Sequence, residues 1–145
     1  VSAVSQIPLF HISIPVTSLT AARVFYGDAL GCQEGRSASD RVDFNFFGHH
    51  LVAHVDAEEA GHRTRSVVSS GVSTPIRHFG VILDRATWTD VADRLRRSNA
   101  EFIMEPQTIF QGDVREQAIL LVADGSGNVI EFKSHEPERL FVSAD

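Results

Sequence analysis

The chain is short of cysteine. Cys32 stands alone, which excludes an internal disulfide framework, and nothing beside it in sequence marks an activated thiolate, so it reads as a small buried residue. Positive charge is scarce as well: 13 Lys and Arg against 19 Asp and Glu give a formal net charge of -6. That balance cannot neutralise a phosphate backbone, so nucleic acid is excluded as a partner. The one basic cluster, Arg94, Arg96 and Arg97, falls beside Asp90 and Asp93 at helical spacing and reads as a solvated face. No apolar run approaches the roughly 18 residues that cross a bilayer, and the first residues lack the pattern of an export signal. No membrane contact and a cytoplasmic location are therefore expected.

What is present is ordinary for a globular protein. Hydrophobic residues make up 43% and charged residues 22% of 145 positions, enough for one domain with a real core. Phe10, Ile12, Ile14 and Val16 alternate with His11, Ser13 and Pro15, the period-two mark of a strand. Thr17 and Ser18 then offer N-caps to a helix whose apolar stripe is Leu19, Ala22, Phe25, Tyr26 and Ala29, with Gly31 as its stop. Three short strands follow, around 33–37, 41–47 and 51–55, separated by turn-rich pieces such as Gly48-His49.

The second half repeats the plan. His78 to Leu83 alternates as a strand, Trp88, Val91, Ala92 and Leu95 form a helical stripe, and Thr87 with Asp90 resembles a capping box. Strands at 101–104, 116–122 and 128–133 complete a second β-α-β-β-β unit. A shift of 67 residues lays His11 on His78, so a polar residue repeats along with the pattern. The expected architecture is α+β: module one at about 7–56, a linker at about 57–74 that partly covers the site, module two at about 75–134, and a tail at 135–145.

Three of these strands each carry one good metal ligand: His11 in the first, His78 in the fifth and Glu131, between Ile130 and Phe132, in the last. Two imidazoles and a carboxylate make a facial triad that leaves coordination positions open. Any one histidine among seven is more often a satisfied strand residue. Their recurrence at equivalent repeat positions favours a shared divalent ion.

The segments Ala22-Arg23-Val24-Phe25-Tyr26 with Leu30-Gly31, His78-Phe79-Gly80-Val81, and Asp124-Gly125-Ser126-Gly127-Asn128 leading into Glu131-Phe132 resemble the vicinal-oxygen-chelate superfamily. That superfamily includes glyoxalase I, fosfomycin-resistance and bleomycin-resistance proteins and extradiol dioxygenases. The run from Asp43 to His50 and the ending Ile130-Glu131-Phe132-Lys133 are most similar to a branch of predicted extradiol-type dioxygenases. The resemblance implies paired modules forming a cupped eight-stranded mixed sheet, with His11, His78 and Glu131 as ligands to iron, manganese, nickel, cobalt or zinc. It also implies a small-molecule substrate and a homodimer.

Ring cleavage of the dioxygenase kind needs a base, for which His49 or His50 is the candidate. The branch carries a tyrosine on the strand before the glutamate, where this chain reads Ala118-Ile119-Leu120-Leu121-Val122; its only tyrosine, Tyr26, lies on a helix. A glyoxalase-like enzyme would add a fourth ligand near the end of the fourth strand, where His54 stands and reads as a satisfied or solvent-facing histidine. Arg41, Arg77 and Arg115 offer cations for a phosphonate, though pairing with acids such as Asp43 and Glu116 explains them equally. Phe44, Phe46, Phe47, Phe79 and Phe110 are core or pocket wall. The reading from another class is a non-catalytic protein that binds or sequesters a small molecule on the same fold.

Overall fold

The computed structural model of the protein describes residues 7–143. In β1 (His11–Val16) the alternation holds: Ile14 and Val16 are buried while His11 and Ser13 are exposed. Strands β2 (Gln33–Ala38), β3 (Arg41–Phe46) and β4 (His49–Val55) join it in the order β1-β4-β3-β2, with β1 parallel to β4 and the other pairs antiparallel. Strands β7 (Phe79–Ile82), β8 (Glu101–Ile109), β9 (Gln117–Ala123) and β10 (Val129–Ser134) form a second sheet in the order β7-β10-β9-β8, again with its one parallel pair at the start. The repeat is thus real at the level of topology, and the fold is mixed α+β. His49 and His50 open β4 rather than sitting in the turn before it.

The segment that joins the two modules in sequence holds more regular structure than the polar composition of 57–74 suggests. A helical turn, α2 (Ala57–Ala60), is capped by Asp56, and β5 (Ser66–Ser69) pairs with β6 (Val72–Pro75). Ser70 and Gly71, at φ 52 and 77, form the two-residue loop with positive φ at both positions that matches strand twist. Serine in the first of them hides the hairpin from a reading based on Asn-Gly or Asp-Gly.

The first helix departs from regular spacing. Ser18 Oγ accepts from Ala21 N–H at 3.0 Å and starts α1 (Leu19–Ala22), which widens into a π-helical segment, Arg23–Ala29. The wider turn lets consecutive Phe25 and Tyr26 both face inward with Ala29 and Leu30. Helix α3 (Arg85–Arg97) begins two residues before Thr87, because the Asp84 carboxylate accepts from Thr87 N–H at 2.8 Å and supplies the cap. Arg94 is a correction too: its guanidinium turns inward and donates to the carbonyls of Ala29 (3.2 Å) and Asp28 (3.1 Å), closing the first helix with a cation. Among the described residues no helix is long and apolar enough to cross a membrane.

One hydrophobic core serves both modules. Phe46 lies 6.0 Å from Phe132 and 5.6 Å from Phe79 between ring centroids, and Trp88 Nε1 donates to the Phe132 carbonyl at 2.9 Å. Helices and inner sheet faces meet here. Alternation along each strand then sends the polar residues of β1, β4 and β10 to the other face of their sheets.

Candidate metal centre

Glu131 is set by its neighbours. Ile130 and Phe132 are fully buried, so the carboxylate between them must leave the core face. His78 immediately precedes β7, the parallel neighbour of β10. Its Nε2 lies 2.7 Å from Glu131 Oε2, and its Nδ1 lies 2.6 Å from the Pro75 carbonyl oxygen. A carbonyl only accepts, so Nδ1 carries a proton and Nε2 is the nitrogen offered to the carboxylate. Lys133 Nζ, the chain's one lysine, stands 3.4 Å from Glu131 Oε1.

The charges follow from this geometry. The hydrogen bond that His78 Nε2–H donates to the Glu131 carboxylate favours the imidazolium and raises the His78 pKa against the opposing effect of burial. Burial pushes the Glu131 carboxyl up, but hydrogen bonds and charge from His78 and Lys133 outweigh it and leave the group below the ordinary glutamate value. The pair suits a divalent ion: an imidazole fixed through Nδ1 presents Nε2 beside a carboxylate oxygen, and the proton the two share is the one an ion displaces. A cleft of about 470 Å³ opens here, lined by His49, His78, Glu131 and Lys133.

His11 is placed elsewhere. Its Nδ1 lies 2.9 Å from His50 Nδ1, and His50 Nε2 lies 3.1 Å from Asp43 Oδ2. Strand register brings these three together: His11 pairs with His50 across β1 and β4, and Asp43 on β3 is the diagonal neighbour of His50 on the same face. Asp43 is buried, and its hydrogen bond from His50 lowers its pKa against burial. Both ring nitrogens of His50 are therefore engaged. His49 accepts from Phe10 N–H through Nδ1 at 3.0 Å and keeps Nε2 without a partner among the described residues. Among those residues, no three His, Cys, Asp or Glu side chains of one chain form a metal-binding group.

Register also locates the module-one counterpart of Glu131. Glu131 pairs with Gly80, two residues after His78, and Ser13, two residues after His11, pairs with Val52. Valine thus occupies the equivalent place. His54 lies two residues further along β4, exposed and opposite Pro15. Of the arginines, Arg41 and Arg77 are exposed, and Arg115 pairs with Asp113 at 2.8 Å rather than with Glu116. Arg115 also lies over the Phe110 ring at 4.4 Å. Phe44 and Phe46 are core, while Phe47 and Phe79 are half-buried against it.

Sequence reading passed over two acids. Asp43 looked like a surface partner for arginine, yet the alternation Val42-Asp43-Phe44 already placed it opposite the core face. Asp124 stands in a Gly- and Ser-rich run of turn-forming composition; it is buried, accepts from Tyr26 OH at 2.8 Å and from Ser126 N–H at 2.8 Å, and organises the loop that leads into β10. Its turn-forming company was the only signal.

Comparison with known proteins agrees with the fold. The model of the Glyoxalase/Bleomycin resistance protein/Dioxygenase superfamily matches residues 9–132. A glyoxalase/bleomycin resistance protein/dioxygenase from Alicyclobacillus acidocaldarius is 29% identical, with 93% of this chain and 96% of that chain covered and a TM-score of 0.75. The fosfomycin resistance protein FosX from Listeria monocytogenes shares the fold at 15% identity, covering 92% and 98% with a TM-score of 0.68. An integron cassette protein from V. Cholerae does so at 16% identity, covering 91% and 98% with a TM-score of 0.61. No curated protein matches. With its two β-α-β-β-β modules and a family match over most of its length, the chain belongs to the glyoxalase/bleomycin resistance protein/dioxygenase superfamily.

Proposed function

We propose that the protein is a metal-dependent enzyme that chelates vicinal oxygens of a small substrate, with a centre shared across a homodimer. His78 and Glu131 of one copy and His11 of the partner subunit are its three protein ligands. The observation that carries this reading is the His78–Glu131 pair at 2.7 Å, with Nδ1 of the histidine tied to a carbonyl. His11 is exposed on the outer face of its sheet and belongs to no ligand group among the described residues of its own chain. Phe10, 61% exposed, and Ile82, 42% exposed, flank the two half-sites. A second copy laid across these faces covers them and brings His11 to the pair.

A divalent ion of the iron, manganese, nickel, cobalt or zinc kind, bound there, supplies Lewis-acid stabilisation of charge developing on substrate oxygens. Valine at position 52 favours three protein donors, hence the dioxygenase-like arrangement over a four-donor, glyoxalase-like one. Lys133 adds a positive charge beside Glu131. Of His49 and His50, the cleft is lined by His49, whose Nδ1 accepts from Phe10 N–H and whose Nε2–H would therefore donate to a substrate oxygen rather than act as the base, whereas both nitrogens of His50 are engaged.

The test is metal content by elemental analysis after loading and desalting. Stoichiometric metal is expected in the native protein, with loss in His78→Ala and Glu131→Ala. Mixing and re-annealing His11→Ala with Glu131→Ala chains then restores binding, because each mixed dimer keeps one intact centre. Restoration absent from mixed chains would place all ligands in one copy. A native protein that holds no metal yet binds and returns a small molecule unaltered would leave the sequestering reading in its place.

A further inference from the structure

Asp43 is a costly residue where it stands. It is 6% exposed, and its Oδ1 is buried with no hydrogen-bond partner among the described residues. The nearest guanidinium, on the largely exposed Arg36, is 4.0 Å away. A buried carboxylate with one unsatisfied oxygen does not stabilise a sheet. What it does hold is His50: Oδ2 lies 3.1 Å from Nε2, and the opposite nitrogen of that ring meets His11.

We infer that Asp43 and His50 are positioning residues that fix the tautomer of His11, so that its Nε2 is the nitrogen presented to metal. This rests on the reading of His11 as a ligand. An ionised carboxylate only accepts, so His50 Nε2 carries the proton. With one proton on the ring, His50 Nδ1 accepts, and the facing His11 Nδ1 must donate. The ring centroids are 4.9 Å apart while the Nδ1 atoms are 2.9 Å apart, so the rings meet nitrogen to nitrogen rather than face to face. His11 Nε2 is left with its lone pair unused. His78 also donates through Nδ1, to the Pro75 carbonyl, and its Nε2 becomes available once an ion displaces the proton shared with Glu131. Both histidines thus offer Nε2 and donate through Nδ1, the arrangement in which an outer partner sets ring orientation and ligand basicity.

The experiment is two-part, on the full chain. Nitrogen-15 NMR of the metal-free protein, at mildly alkaline pH, reads which nitrogen of His11 bears hydrogen. The Nδ1–H form is expected, against the Nε2–H form that free imidazole favours, with reversion toward Nε2–H in His50→Phe. Zinc affinity, measured by competition with a chromophoric chelator, is expected to fall about 10- to 100-fold in Asp43→Asn and His50→Phe. His11→Ala is expected to remove the His11 contribution altogether. An Nε2–H His11 in the native protein overturns the inference whatever the metal does. Native affinity in Asp43→Asn and His50→Phe beside loss in His11→Ala overturns it too, while leaving the centre intact. Native affinity in His11→Ala overturns the centre itself. His50 is half-exposed, so its variant serves if Asp43→Asn does not fold.

Discussion

Tyr26 is the chain's one tyrosine, fully buried, with its hydroxyl on Asp124. Burial, and then the Asp124 charge, push its pKa well above the ordinary value. A pKa raised by folding contributes stability below the unfolded value of about 10, and that contribution is lost as pH climbs past it. Tyrosinate absorbance should therefore develop together with loss of circular dichroism on alkaline titration; a tyrosinate seen near pH ~10 in the folded chain contradicts the burial. Tyr26→Phe leaves Asp124 short of one donor and should cost about 1–3 kcal/mol in denaturant unfolding. Cys32, its thiol pushed up to about 11 by burial with Arg94 opposing, should react slowly with thiol reagents until the chain unfolds. The helical stripe identified Tyr26 as core, but its partner lies 98 residues away, and no local pattern carries a contact of that range.

At the scale of elements, β7 depends on having no side chain at position 80. A Cβ there would overlap the carbonyl of Glu131, so Gly80→Ala must push β7 from β10. Destabilisation of about 1–3 kcal/mol is expected, together with weakened metal capture because His78 leads directly into β7 and Glu131 sits on β10. Equilibrium unfolding and metal titration of this variant check both, and a variant native in each would contradict the pairing. Asp84→Ala removes the cap of α3 and should cost about 1 kcal/mol. Elements with clean periodicity were legible: β1, β7 and the stripe of α3 follow from alternation and spacing alone. The cap of α3 was misplaced because Asp84 and Thr87 are both good cap residues and three apart. The π-helical widening after Ala22 was hidden because a stripe of five apolar residues fits a regular helix almost as well.

At the scale of the whole molecule the larger core is shared by the two modules, with a small second cluster of Ile119, Leu121 and Val129 on the other face of the second sheet. Unfolding should be a single transition in which the fluorescence of Trp88, lodged against Phe132, and circular dichroism coincide. Loading metal at roughly a hundredfold excess over its Kd should add about 2.7 kcal/mol to that transition. The repeat was legible because it is written in order and spacing. How the candidate site residues group was not: pairing His78 with Glu131, and His11 with His50, depends on side-chain direction, which order and spacing do not carry. The hairpin of β5 and β6 ends on Pro75, whose carbonyl orients His78. That acceptor belongs to the main chain, so no single codon can delete it, whereas His11 leans on two side chains that one substitution can remove. Under mutational drift the two imidazoles are unequally guarded: module two keeps the orientation of His78 by construction, whereas in the proposed centre module one is where descendants of this protein would retune or lose the third donor.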